Sequence, residues 1–508
     1  MGLGLLQAGV RERNRRLIRA GLRAVSVQTR RLRDPAGAQE FRSWAVAEAY
    51  LLVRSRLRHS PSARVASRRW AGWLRHARIF WLRQPTYENK ALVDAVAFLE
   101  LVRTGLHSNV KGAALGKGRH QTGQLVLRLI NRRIPAMMRR RGYLLSDPGP
   151  NPTAYHALSY AMYARAVRLL GPRASRHAHG VLRKLAWSTE RITAPSGDLA
   201  YWGRSQAMGW TLSSAAYGLA ATVSERGISG TARRRYRAVA DRLLSRLRAY
   251  GSGPRGEWIV PAIRQDASAR GAIDHYAHAP EYTGLALVYL NWAIPLLPRR
   301  STAGEIPADR PLRAVIGQGR ARFAVIRQGP LWYAVRERGT GGLRYDFGVI
   351  AAKHLNSGTW RDILPLRPPL PGSTGPVLRL GTRRARAVGT SMRVTPEGRV
   401  LIRGGFRSRR GWLRRGVRFI VEPAPCGPRL RVSARSGDRY NFTAFFRPGT
   451  RRRGTNYSVV GDQVAVFSEP LTSVRFARSR PSPSDAHLIR ARFSVRASKS
   501  AFVDFWMC

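Results

Sequence analysis

The spacing of apolar residues changes from helical to strand-like near residue 300. Up to about residue 297, apolar residues recur every three or four positions, as they do along one face of an α-helix. From about residue 315 they alternate with polar residues, as along a half-buried β-strand. The stretch Leu297–Pro311 between the two regions is rich in Pro and charged residues, which predicts a linker. The sequence therefore predicts a long helical domain followed by a long β-domain.

The first region contains amphipathic segments joined by short or medium loops. Leu92, Val96 and Leu99 fall on one face of Ala91–Thr104, for example. Non-identical helix hairpins with no repeat of fixed period predict a toroid of α/α pairs rather than a solenoid. The predicted helices are Trp44–Leu57, Ser67–Leu82, Ala91–Thr104, Gln121–Arg140, Thr153–Leu170, Arg173–Ile192, Ser205–Val223, Ala232–Tyr250 and Glu281–Leu297.

The second region predicts an antiparallel β-sandwich, because many short alternating segments are separated by turn signals such as Pro396-Glu397-Gly398. The predicted strands are Arg322–Ile326, Leu331–Arg336, Leu343–Lys353, Ser391–Thr395, Arg399–Arg403, Gly416–Val421, Arg429–Ala434, Gln463–Ser468 and Ile489–Val495. The predicted domains are a basic N-terminal arm at 1–40, an α/α toroid at 41–297, a linker at 298–314 and a β-sandwich at 315–508.

The composition predicts a folded and strongly basic protein. Hydrophobic residues make up 44% of the 508 residues, and the net charge is +62. Such a chain attracts polyanions. The basic residues are nearly all Arg, which the codon bias of a GC-rich genome explains equally well. The charge is spread over both halves, whereas a nucleic-acid-binding protein concentrates it on one face. Non-specific binding of nucleic acid is therefore the most that we expect.

The sequence predicts neither a metal nor a cofactor. The two cysteines, Cys426 and Cys508, are too few for a disulfide framework, and no CxxC pair is present. The glycine-rich segment Gly112–Gly118 departs from the spacing of a phosphate-binding loop. No apolar run has the length of a membrane span. The N-terminus lacks the apolar region of a signal peptide, so the sequence leaves the localisation open.

Three clusters of polar and aromatic residues lie where loops enter predicted helices: 151–159, 196–206 and 274–282. Loops on one side of a helical toroid surround a cleft, and helix N-termini favour anionic ligands. Aromatic rings stack on sugar rings, and Arg binds carboxylates. The clusters therefore indicate a site for an acidic sugar.

Each candidate residue also has a structural interpretation. Tyr155 lies on the apolar stripe of its helix and is equally well explained as a core tyrosine. Asp198 is explained as an N-cap or a salt-bridge partner, and Arg204 as a cap of a neighbouring helix. Pairs of His residues occur without an HExxH pattern, which favours structural histidines over metal ligands.

At these clusters the chain resembles the polysaccharide lyases of the heparinase II/III and alginate lyase type. The resemblance rests on Ala154-Tyr155-His156, on Gly197-Asp198 with Gly203-Arg204, and on the segments 343–348 and 356–360. It implies an α/α toroid followed by an antiparallel β-sandwich. It also implies β-elimination on a polymer that contains uronic acid, with no cofactor.

The resemblance also implies residue roles. His156 would neutralise the substrate carboxylate or act as the base, with Tyr155 beside it where the family commonly has Asn. Tyr201 or Tyr276 would transfer the proton, and Arg204 would bind the substrate. The nearest substitutes for that Asn are Asn109 and Asn151. The residues expected to bind substrate are Arg204, Asn109, Asp198, Trp202, His275, Tyr282 and His354, of which His354 would reach the cleft from the sandwich.

Two other functions remain open at the level of sequence. An inverting glycoside hydrolase on the same toroid needs two carboxylates across the cleft, and Asp198 and Asp274 are the best pair. A catalytically inactive relative would bind polyanions through its Arg surplus alone. The sequence does not indicate which polymer is bound or the oligomeric state.

Overall fold

The computed structural model places a ring of helices next to two antiparallel β-sheets. It describes the chain except for residues 32–39, 76–87, 107–118, 141, 144–152, 200, 202–207, 251–279, 298–303, 320–321, 339–346, 365–374, 479–487, 499–501 and 508. The predicted order of a helical toroid followed by an antiparallel β-region is confirmed.

In the part of the chain that the structure describes, six helices form the inner layer of the ring, and each contacts the next around it. The inner helices are α1 (Gly2–Arg11), α3 (Glu40–Arg56), α5 (Glu88–Thr104), α8 (Thr153–Leu170), α10 (Gly209–Val223) and α12 (Pro280–Ala293), and α12 contacts α1 to close the ring. The outer helices are α2 (Arg15–Arg31), α4 (Pro61–Arg75), α6 (Arg119–Arg128), α7 (Ile134–Arg140), α9 (Arg176–Ile192) and α11 (Gly230–Tyr250). A π-helical turn at Leu129–Arg133 joins α6 to α7.

The sequences of the two layers differ as their burial requires. Every residue of α10 is buried, and this helix contains no charged residue. The outer helix α9 is amphipathic, because Val181 and Leu185 are buried whereas Lys184 is exposed. Burial of apolar faces between the two layers of helices therefore stabilises the ring.

The N-terminal helices are part of the ring, which differs from the basic arm predicted for 1–40. Leu3 and Leu6 of α1 are buried. A Cβ atom at Gly4 would lie only 2.8 Å from the Cβ atom of Leu287 on α12, so the glycine permits close helix packing. The sequence analysis overlooked the apolar face of this short helix because an Arg-rich segment follows it.

The first sheet contains five antiparallel strands in chain order. Both of its faces are buried: Phe323 and Trp332 pack into the helical core, whereas Ala324, Ile326 and Tyr333 pack into the sandwich core. A sheet covered on both faces needs continuous apolar runs rather than alternation. Its strands are β1 (Leu312–Ile316), β2 (Phe323–Gln328), β3 (Leu331–Arg336), β4 (Gly348–Asn356) and β5 (Thr359–Asp362).

The second sheet contains 12 strands in the order β12-β13-β14-β17-β10-β9-β8-β7-β6-β11-β16-β15. It curls, because Phe467 near one end lies 5.0 Å from Phe493 near the other, measured between ring centroids. Its strands are β6 (Val377–Leu380), β7 (Arg383–Val394), β8 (Val400–Ser408), β9 (Gly411–Pro423), β10 (Pro428–Ser433), β11 (Arg439–Phe446), β12 (Arg451–Arg453), β13 (Tyr457–Val460), β14 (Gln463–Phe467), β15 (Leu471–Arg478), β16 (Ile489–Arg496) and β17 (Phe502–Met507).

Two further features concern the whole chain. Cys426, in the turn between β9 and β10, is disulfide-bonded. Within the described ranges, no helix combines the length and the apolar character needed to span a membrane.

An ion pair in the large sheet gives a pH-dependent contribution to stability. Arg414 donates to Asp438 at 2.6 Å, and the Tyr440 hydroxyl and the Arg435 amide each donate to the same carboxylate at 2.8 Å. Burial alone would raise the pKa of Asp438, but these hydrogen bonds lower it below its ordinary value of 3.8. A carboxyl group with a lowered pKa stabilises the fold above pH 3.8 and loses this contribution as the pH falls through its folded value.

Asp438→Asn is therefore expected to lower the free energy of unfolding by about 1–3 kcal/mol at pH 7. The difference from the wild type should shrink as the pH falls below about 4. Urea unfolding across this pH range measures both effects. Asp462→Asn, at an exposed position, is the control and should change little. A loss that persists unchanged at low pH would contradict the ionic origin.

Candidate active site

The first turns of α8, α10 and α12 meet at one end of the ring. Tyr155, Trp210 and Tyr282 are the second or third residues of these helices. The ring centroids of Tyr155 and Trp210 lie 5.9 Å apart, and those of Trp210 and Tyr282 lie 6.1 Å apart. The three clusters singled out in the sequence lead into these turns. The structure thus brings Tyr155 of the first cluster and Tyr282 of the third to one place, with Trp210 between them.

This arrangement suits an anionic ligand. The first four N–H groups of an α-helix have no partner within the helix, and the helix dipole places partial positive charge there. Three inner helices begin side by side, so three such ends face the same mouth of the ring. The aromatic contacts fix the relative positions of the three first turns. We call this end the aromatic mouth.

A buried ionic cluster joins the segment after α9 to the first sheet and to α11. The Lys353 ammonium of β4 lies 2.7 Å from Asp198 and also contacts Asp362 of β5. Arg246 of α11 donates two hydrogen bonds to Asp198, at 2.8 and 2.9 Å, and the Tyr250 hydroxyl donates a third at 2.5 Å. Asp198 is thus bound by cations from both domains.

The electrostatics of this cluster keep Arg246 charged. Burial alone would lower the pKa of Arg246, but the Asp198 carboxylate raises it above the ordinary arginine value. Asp198 is 6% exposed. The sequence suggested that Asp198 is either an N-cap or a salt-bridge partner, and these contacts are those of a salt-bridge partner. The cluster fixes Asp198 against both the sheet and α11.

Tyr201 lies at the boundary between the ring and the first sheet. Its hydroxyl donates to the carbonyl oxygen of Ile192 at 2.9 Å, and its ring packs edge-on against Trp332 at 5.2 Å. Burial raises the pKa of Tyr201 well above its usual range. The phenol is therefore protonated at neutral pH, and its proton is used in a hydrogen bond to the backbone.

His156 lies one layer behind the aromatic mouth. It is fully buried, and its Nε2 atom is 3.0 Å from the Thr189 hydroxyl of α9. Thr189 donates its own proton to the carbonyl oxygen of Leu185, so Nε2 carries the proton in the bond to Thr189. Adjacent helical residues point about 100° apart. Tyr155 therefore faces α10, whereas His156 faces α9.

The remaining candidates are placed differently or lie outside the described residues. His354 of β4 pairs with Leu331, which packs into the sandwich core, so it lies on the sheet face opposite Lys353. That face points away from the ring. The candidates outside the described residues are Asn109, Asn151, Trp202, Arg204, Asp274, His275 and Tyr276. Among described side chains, no group of three or more His, Cys, Asp or Glu residues is arranged to hold a metal ion.

Sequence reasoning missed Trp210, the residue that links the other two rings. Its position directly after Gly209, at the start of an apolar helix, resembled an ordinary core position. It also missed a polar cluster inside the ring. There, Arg165 contacts Glu100 and lies 3.6 Å from Glu48, and Trp292 donates to Glu48 at 2.6 Å. Burial raises the pKa of Glu48.

The structure resembles solved polysaccharide lyases. The chondroitin AC lyase of Streptomyces coelicolor A3, in complex with chondroitin sulphate, matches with a TM-score of 0.50 at 11% identity over 97% of this chain and 70% of that chain. A heparan sulfate lyase mutant from Pedobacter heparinus matches with a TM-score of 0.35 at 8% identity over 92% and 74%. A heparinase III gene product matches with a TM-score of 0.34 at 11% identity over 92% and 76%.

The likeness to the chondroitin AC lyase spans both domains and identifies the fold. No protein-family model matches the sequence, and no curated protein does either. The architecture predicted from the resemblance, an α/α toroid followed by antiparallel sheets, is therefore confirmed as the lyase architecture.

Proposed function

We propose that this protein is a polysaccharide lyase that cleaves a polymer containing uronic acid by β-elimination. The observation that carries the proposal is the aromatic mouth, where three helix N-termini and three aromatic rings converge. Helix N-termini attract the carboxylates of the polymer, and aromatic rings pack against sugar rings. The lyase architecture supports the same reaction class.

In this reaction a base removes the proton from C5, next to the uronate carboxylate. The electron pair forms the C4–C5 double bond, and the bond from C4 to the glycosidic oxygen breaks. A proton is delivered to that oxygen, so the products are an unsaturated uronate and a new chain end. Positive charge near the carboxylate lowers the cost of the anionic intermediate.

We assign the proton transfers at the aromatic mouth to tyrosine. Tyr155 is the described tyrosine of α8 at this position, and Tyr276 belongs to the cluster that leads into α12. Arg204 would bind the substrate carboxylate. We propose that His156 and Tyr201 act from behind, because each is hydrogen-bonded to a protein group, Thr189 or Ile192.

The contacts of Asp198 favour the lyase over the hydrolase. A hydrolase needs a carboxylic acid and a carboxylate that both reach the scissile bond. Asp198 is instead buried between Lys353 and Arg246. With 28 acidic residues in the chain, few other pairs are available.

The experiment is to incubate the full-length protein with polyuronates and glycosaminoglycans and to follow ultraviolet absorbance. We expect a rise with at least one polymer, because β-elimination creates a conjugated double bond. New reducing ends without absorbance would establish the hydrolase. A flat trace and no new ends, with polymer bound in a salt-sensitive manner, would establish a polyanion-binding relative.

A further inference from the structure

A second concave site lies at the other end of the ring. A cavity of about 1150 Å³ is lined by the last residues of α1, the first residues of α2 and the C-terminal ends of α3 and α12. The aromatic mouth lies at the N-terminal ends of the inner helices. On α12, nine residues separate Tyr282 from Asn291 of the cavity, which corresponds to roughly 14 Å at 1.5 Å per residue. The cavity is therefore separate from the proposed active site.

The cavity is strongly positive. Its lining includes Arg11, Arg13, Arg15, Arg19 and Arg56. Arg11 pairs with Glu12 at 2.7 Å. Among the described residues, the other four arginines have no carboxylate within salt-bridge distance. A concave surface lined by one sign of charge concentrates the electrostatic field and attracts counter-ions.

The rest of the lining narrows the ligand class. Ser60 and Ser62 supply hydroxyl groups, and Ile18, Leu52 and Leu57 supply apolar surface. No aromatic side chain is among the described lining residues, so nothing there stacks on a nucleobase. Arginine binds phosphate and sulfate oxygens through its planar pair of donors.

We propose that this cavity is a binding site for a compact oligoanion that carries several phosphate or sulfate groups. Several arginines around one cavity neutralise several closely spaced negative charges at once. A ligand with a single carboxylate would not require so many arginines. The apolar and hydroxyl surface accommodates the body that carries these groups. The site does not depend on the reaction at the aromatic mouth.

Isothermal titration with inorganic tripolyphosphate at constant ionic strength tests the site. We expect one saturable site per chain. The triple variant Arg15→Gln, Arg19→Gln, Arg56→Gln removes three exposed cavity arginines, and we expect it to weaken binding at least tenfold. The control variant Arg383→Gln, Arg384→Gln, Arg386→Gln removes the same charge from exposed positions of β7 and should weaken binding less than twofold. Thermal unfolding of each variant verifies folding.

A disulfated disaccharide in the same titration distinguishes the two sources of charge. Tighter binding of the disaccharide than of tripolyphosphate would identify a sulfated ligand, and the reverse would identify a phosphorylated one. Either result supports the site if the cavity variant abolishes the binding. Equal weakening by the cavity and control variants, or the absence of saturable binding in the wild type, would overturn the proposal.

Discussion

Replacing Lys353 with Met is expected to lower the free energy of unfolding by about 3–5 kcal/mol, the cost of leaving buried charges without their partner. The Lys353 ammonium lies 2.7 Å from Asp198 and also contacts Asp362, and its side chain is 3% exposed. Methionine fills a similar volume but leaves Asp362 without this cation. Arg246 would still bind Asp198, so we expect the fold to persist in weakened form.

Lys184→Met is the matched control, because Lys184 is exposed and its ammonium lies 6.0 Å from the centre of the Trp187 ring. Exposed charges of this kind contribute about 0–1 kcal/mol. Urea unfolding of both variants at pH 7 gives the comparison. Coupling between Lys353→Met and Asp362→Asn, measured in a double-mutant cycle, should exceed about 0.5 kcal/mol. Equal effects of the two Lys variants would contradict the predicted role of the cluster.

The same cluster joins the two halves of the chain. Asp198 follows α9, ten residues before Met208 caps the start of α10. It pairs with Lys353 of the first sheet and with Arg246 of α11. Buried charge therefore connects the helical ring to the β-region at this point.

The helical half was predictable because its signal is periodic and local. The prediction for α8, Thr153–Leu170, agrees with the structure at both ends, since Gly171-Pro172 stops the pattern. The strand β3, Leu331–Arg336, also agrees at both ends. Continuous apolar runs of this kind are strong signals even where alternation is absent.

Several strands were missed, and only some of them for a physical reason. The strand β12 consists of Arg451–Arg453, which are all exposed at the edge of the sheet, so no apolar pattern marks it. In contrast, β11 was overlooked although the sequence carries its signal, because Tyr440 and Phe442 point inward and alternate with polar residues. The place of α1 in the ring depends on its contact with α12, which is far away in the sequence. Local sequence patterns do not show such a contact.

The candidate site was predictable only in part. The local sequence predicted that the clusters lie before α8, α10 and α12. The predicted toroid indicated that the first turns of these helices lie close together. The ion pair between Asp198 and Lys353, which is 155 residues away, was not predictable, because the sequence does not show which distant charges pair. The same limit applies to His156, whose burial against Thr189 depends on the packing of α8 on α9.

Replacing Tyr155 with Phe is expected to lower kcat by about 10²–10⁴ on the polymer that the lyase assay identifies, the usual contribution of a positioned proton-transfer group. Phenylalanine keeps the ring and hence the edge-on contact with Trp210 at 5.9 Å, so the aromatic mouth should persist. Only the hydroxyl is lost. We therefore expect little change in KM, since binding of the sugar rings does not require the proton.

Tyr201→Phe is the matched control, because it removes the hydroxyl of another buried tyrosine close to the site. That hydroxyl donates to Ile192 at 2.9 Å, so its loss should cost about 1 kcal/mol of stability and change kcat much less than Tyr155→Phe. The comparison of kcat with melting temperature in both variants separates catalysis from packing. If Tyr155→Phe retains full activity, Tyr155 is a core tyrosine of the apolar stripe, and the proton transfer belongs to another residue of the three clusters.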